Sequence, residues 1–350
     1  LAGSGCIQTT IVPLTTSQPA MTINAGFVGV KDLGFDRITK PVSGGDGIVC
    51  AQGMSHVTLD NLFIQKQYRG LVLGATDISY ANRMTVQLCE SHGVDCLYGT
   101  NGAVQYELTN ILSQHNLGDG FHCVNTTAVT GIGPFLFGCH SFNNALQGYY
   151  FSGSPSFKLF DVFMLRCVSS SEGLGGIHFD GPNGEFSMVH GCWVELIGRT
   201  GGFPRGFDST LSVQGNTGYG MRISGSQGSS ALNIVGGLIW SCAWSGISLE
   251  SPNVDVTGVT CIDNGAAVDA NIERRAGVLF KGNGAHVVGC HIIKSAVGSG
   301  QIKGITVGAG TYTEIGADSS NHFTGYDNIT DMVDTSLATL TGTVSSRFPL

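Results

Sequence analysis

The chain has 350 residues, 42% of them hydrophobic and only 12% charged, with a net charge of -8. Its 17 Lys and Arg are spread along the whole length and form no basic stripe, which excludes the phosphate-gripping surfaces of nucleic-acid and anionic-membrane binders. No run of eighteen apolar residues and no charged-then-apolar leader appears, so the sequence reads as a soluble chain without a visible signal peptide, its N-terminus lying upstream of Leu1.

Fifty-three glycines punctuate the sequence at regular places, which is turn chemistry rather than low complexity. One phrase recurs from Gly47 onward, a glycine followed by four residues of alternating character. It reads GIVCA at Gly47, GLVLG at Gly70, GVDCL at Gly93, GFHCV at Gly120, GYYFS at Gly148 and GIHFD at Gly176. It continues as GMRIS at Gly220, GISLE at Gly246, GVLFK at Gly277 and GITVG at Gly304. Most of the intervals are 23 to 31 residues and one is 44, the length of one solenoid coil plus loops of varying size.

The first and third residues after each glycine carry no charge, from Ile48 and Cys50 through Ile177 and Phe179 to Ile305 and Val307. An apolar period of two marks a half-buried strand with those residues inward. A second strand type precedes the phrase in each coil, as in VTLDNLFIQ from Val57, YELTNILSQ from Tyr106, FKLFDVFML from Phe157, LNIVGGLIW from Leu232 and VDVTGVTCI from Val254. Each alternation is broken by an Asp, Asn or Gly suited to a bend. The expected fold is all-β, a right-handed parallel β-helix of about ten to twelve coils. Residues 1–340 form one β-helix domain, and 341–350 are a C-terminal tail or the start of a further region.

Eleven cysteines make no CxxC pair, and most fall on inward positions. They read as reduced, buried small hydrophobes assembled in a reducing cytoplasm. No residue cluster calls for a metal, and no cofactor is expected.

Stacking sets equivalent residues about 4.8 Å apart, so outward positions form columns. The second residue after each glycine gives Val49, Val72, Asp95, His122, Tyr150, His178, Arg222, Ser248, Leu279 and Thr306. Five consecutive coils thus present Asp, His, Tyr, His and Arg on one exposed strip, and the fourth residue adds Asp180, Glu250 and Lys281. The long interval holds an insertion from Val194 to Gly220 that offers Glu195, Arg199, Arg205, Phe207 and Asp208 beside Trp193, placed to wall a groove. Tyr150, His178, Asp180, Arg222, Glu195 and Glu250 are the candidate catalytic residues. Asp95, His122, Trp193, Arg199, Arg205 and Asp208 are the candidate substrate contacts. Leu112, Phe163, Leu165, Trp193, Ile239, Ile262 and Ile293 are expected to face outward as an apolar subunit interface, or else as a platform for sugar rings.

LAGSGCIQTTIVP at the start resembles the LxGxGxxxTxI coil of bacteriophage tailspikes and capsule depolymerases with the pectate-lyase-like β-helix. FVGVKDLGFDR from Phe27 resembles the coil that follows it, and NHFTGYDNITDMVD from Asn321 is similar to their closing coils. The resemblance implies a homotrimeric virion tail protein, or a secreted one, that binds and cuts a bacterial capsule or exopolysaccharide. It supplies no catalytic motif, so the site rests on the columns. On a uronate, Arg222 or a His would neutralise the carboxylate while Tyr150 or His178 removes the C5 proton, a β-elimination. On a neutral sugar, Asp180 with Glu250, or Asp180 with Glu195, would act as paired carboxylates. The columns lean toward the lyase. The alternatives are a glycan-binding or rod-like tail fibre without activity, and an isomerase that begins with the same proton removal.

Overall fold

The computed structural model describes residues 9–74, 77–98, 105–125, 131–153, 159–160, 162–180, 183–185, 187–198, 206, 218–224, 232–266, 271–295, 300–312, 315–327 and 329–341. Every strand pairing among them is parallel, and the chain is an all-β parallel β-helix. The glycine phrases form one wall, a 12-stranded sheet running from Met21–Ile23 to Val333–Asp334. The strands that precede them form a 19-stranded sheet bent into two legs. The only helical turns among these residues are Ile272–Arg275 and Ile329–Met332, neither long enough to cross a membrane.

The bend between the legs is built from left-handed residues. Asn61, Asn110, Gly138, Gly191, Gly236, Gly258 and Gly289 occupy it with φ between 52° and 62° or at 65° for Gly258, and Arg83 does so at 53°. Asn and Gly reach this region at least cost, which is why the bend shows in the sequence. In the coil of Phe157 the expectation needs correction: the bend falls at Arg166, φ 50°, after the strand Phe163–Leu165, and Asp161 lies outside the described residues.

The recurring glycine has a steric cause. It sits at the corner where the second leg turns into the next wall, and both it and the residue after it face inward. A Cβ on Gly93, Gly120 or Gly148 would meet the Oγ of Ser113, Ser141 or Ser169 at 2.0, 2.1 and 2.0 Å. Just before this corner the chain turns away from the sheet, and buried side chains collect the freed N–H groups. Asn116 accepts from the Cys89 N–H at 2.9 Å, Asn144 from Asn116 at 3.0 Å and Glu172 from Asn144 at 2.6 Å.

The lumen is filled by the expected apolar residues, and all ten described cysteines are buried, as their inward positions implied. The outer apolar set is corrected. Ile239 is fully buried and pairs in register with the inward Cys261. Ile262 and Ile293 belong to the column of Trp240, Leu112 to that of Trp193, and Phe163 and Leu165 to two further columns on the first leg. The apolar residues therefore do not make one continuous stripe.

Candidate active site

Register places the expected column as a column. Cα partners run Asp95 to His122, His122 to Tyr150, Tyr150 to His178, His178 to Arg222 and Arg222 to Ser248 along the glycine wall. The rings follow one another up the wall, His122 and Tyr150 stacked with centroids 5.6 Å apart, Tyr150 and His178 edge to face with centroids 5.4 Å apart. The expectation of an exposed strip is corrected: Asp95 is 2% exposed, His178 8%, and Ser248, Leu279 and Thr306 are fully buried.

Their cover comes partly from a column that the alternation rule missed, the residue just before each glycine. Asp46, Arg69, His92, Asp119, Gln147 and Tyr219 occupy it, outside the same corner as the column above. Arg69 donates to Asp46 through Nε and Nη2 and to Asp95 through Nη1, and the other Asp95 oxygen lies 2.8 Å from His122 Nδ1. Burial opposes the Asp95 carboxylate, yet the His122 hydrogen bond and the charges of His122, His92 and Arg69 outweigh it and hold its pKa below the usual range.

A second network surrounds His178. Tyr150 donates its hydroxyl to one Asp180 oxygen and Ser224 donates to the other, each at 3.0 Å. Ser224 Oγ is 2.9 Å from His178 Nε2, and the Gln147 amide nitrogen is 3.4 Å from His178 Nδ1. With Ser224 donating to Asp180, His178 Nε2 carries the ring proton and donates to Ser224, so Nδ1 keeps a lone pair. Burial, and then the Arg222 charge, push the His178 pKa down to about 4. Asp180 is held low: burial works against its charge, but the Tyr150 and Ser224 hydrogen bonds and the charges of His178 and Arg222 prevail. Burial and the neighbouring Asp180 raise the Tyr150 phenol, which keeps its proton. Arg222 grips Glu250 through Nε at 3.1 Å and Nη2 at 3.0 Å, and Ser248 donates to the same carboxylate at 2.8 Å.

His178 and Arg222 line a pocket of about 190 Å³ together with Gln147, Leu174, Tyr219 and Trp244. Two buried atoms of that lining, Gln147 Oε1 and Trp244 Nε1, have no hydrogen-bond partner among the described residues. A neutral imidazole, a guanidinium and spare polar atoms around one cavity suit a ligand that is polar and anionic.

Other expected site residues lie elsewhere. Glu195 and Trp193 are on the second leg, a different wall, where Glu195 accepts from Ser170 and Trp193 is half-exposed. The pair of Asp180 and Glu195 is therefore not brought together. Asp180 and Glu250 share the glycine wall two rungs apart, about 9.6 Å along it. Arg199, Arg205, Phe207 and Asp208 lie outside the described residues. Within the insertion Gly206 is described, and its N–H donates to the His115 carbonyl at 2.8 Å.

This chain is thus a parallel β-helix with a polar, partly buried wall and a pocket at its middle coils. No protein-family model and no curated protein matches it. Among solved structures it is similar to the A-module of the Azotobacter vinelandii mannuronan C-5 epimerase AlgE4, at 13% identity and a TM-score of 0.49 over 91% of this chain and 86% of that one. It is similar to tailspike protein 3 of bacteriophage CBA120, at 13% identity and a TM-score of 0.49, covering 94% of this chain and 51% of that one. A third likeness is to pectate lyase Pel9A, at 13% identity and a TM-score of 0.41 over 81% of this chain and 70% of that one. At these identities the likeness concerns the fold, and this chain spans about half the length of the tailspike.

Proposed function

We propose that the glycine wall binds an acidic polysaccharide and cleaves it by β-elimination at the His178 pocket. The observation that carries this reading is a neutral histidine, its Nε2 proton fixed by Ser224 and its Nδ1 on a pocket shared with a guanidinium. His178 Nδ1 takes the C5 proton of a uronate whose carboxylate sits by Arg222. The electron pair forms the C4–C5 double bond, the C4–O bond breaks, and the leaving oxygen takes up a proton from water. Glu250 orients Arg222 through two of its nitrogens, and Nη1 has no hydrogen bond to a described residue. Hydrolysis fits less well, because Asp180 is held ionised and Glu250 is engaged by Arg222 and Ser248.

The tailspike resemblance of the sequence adds a bacterial surface polysaccharide as substrate, a homotrimer as assembly and the virion tail as location. Light scattering of the purified chain tests the trimer, and a monomeric mass would remove it. The test of activity is incubation with acidic capsule polysaccharides followed by sizing: the chains shorten. Binding without shortening would instead make the protein a glycan-binding fibre.

The low pKa of the base sets the pH profile. His178 must be unprotonated to act, so the acid limb of kcat/KM falls near pH 4 and activity stays level through pH 6.5, where an ordinary histidine would be half protonated. A limb near pH 6.5 would mean that another group is the base.

A further inference from the structure

We propose that His92, Asp119 and His122 form a binding site for one divalent transition-metal ion of the zinc class, beside the pocket and distinct from it. Asp119 and His122 flank the corner glycine of one coil, and His92 stands in the coil before. One ligand atom from each lies within 4.8 Å of the other two, the only such trio among the described residues. His92 Nδ1 and an Asp119 oxygen are 3.2 Å apart, and the Asp119 N–H that donates to the same nitrogen at 3.1 Å is the contact an ion would displace.

A second, independent feature points the same way. Asp95 takes the Nδ1 side of His122 at 2.8 Å and is itself held by Arg69, which is anchored on Asp46. A carboxylate behind one ring nitrogen fixes the ring and directs the Nε2 lone pair outward, which is how ligating histidines are oriented. Asp46, Asp95 and Asp119 place three carboxylates around Arg69, His92 and His122, an acceptor-rich setting for a cation. Two imidazoles and one carboxylate favour zinc, cobalt or nickel over calcium or magnesium, which seek all-oxygen shells. Three protein ligands leave the ion a place for water or another small ligand.

The test is equilibrium dialysis of the full chain against zinc chloride, with bound metal counted by atomic emission. One zinc per chain is expected, lost in both His92→Gln and His122→Gln, with Asp119→Asn as a further variant should either fail to give the native circular dichroism. Asp95→Asn keeps the stoichiometry at high zinc but weakens affinity about 10–100-fold. His291→Gln, at the far end of the helix beside Thr324 and His322, leaves uptake unchanged. No uptake by the native chain would overturn the site. Uptake that survives in folded His92→Gln and His122→Gln proteins, or that vanishes in His291→Gln, would overturn it equally.

Discussion

The His178→Gln protein turns over an acidic polysaccharide about 10²–10⁴-fold more slowly than the native chain, with KM little changed. Glutamine keeps a polar side chain of similar reach, so the Ser224 and Asp180 network retains a partner while the basic lone pair is gone. The loss falls on kcat because proton removal belongs to the transition state and not to binding. Initial rates over a range of substrate concentration separate the two parameters. A kcat within twofold of the native value would move the chemistry away from this pocket.

The second large effect is on stability. Gly148→Ala lowers the unfolding free energy by about 1–3 kcal/mol, because the new methyl meets Ser169 Oγ at 2.0 Å and the Gly176 carbonyl oxygen at 2.8 Å in a packed corner. Neither neighbour can move without disturbing the stack of coils above and below. Gly29→Ala is the matched control: nothing lies within 4 Å of its added carbon, and its change stays within about 0.5 kcal/mol. Urea unfolding of both proteins measures the difference. Equal midpoints would mean that the corner glycine serves some need other than close packing.

These two positions also show what was legible in the sequence. The glycine phrase fixed the register of one wall, since a corner that admits no Cβ must recur at the same place in every coil. From that register the line from Asp95 to Arg222 followed, and Asp180 and Glu250 followed with it. The column of His92, Asp119, Gln147 and Tyr219 did not follow from alternation. A strict period of two places the glycine itself outward, whereas at the corner two successive residues turn inward and the outward position shifts to the residue before. The signal was present as the polar series Asp46, Arg69, His92, Asp119 and Gln147, each preceding its glycine.

The misplacements have the same origin. Ile239 faces inward between the outward Leu238 and Trp240, and a slip of one residue exchanges inside for outside. Glu195 and Trp193 stand close to the pocket in sequence but precede the corner, which puts them on the other wall. Burial of the site was invisible for a different reason. Cover over Asp95 and His178 comes from neighbouring coils and from the column before the glycines, and no single coil contains it.

Proton removal by His178 followed by loss of the C4 oxygen leaves an unsaturated uronate as product. Following absorbance at the ultraviolet edge while the chain digests an acidic capsule polysaccharide reads it directly. The signal should rise in step with the appearance of new reducing ends. New reducing ends with no rise in absorbance would show that the bond is hydrolysed, and would contradict elimination at this wall.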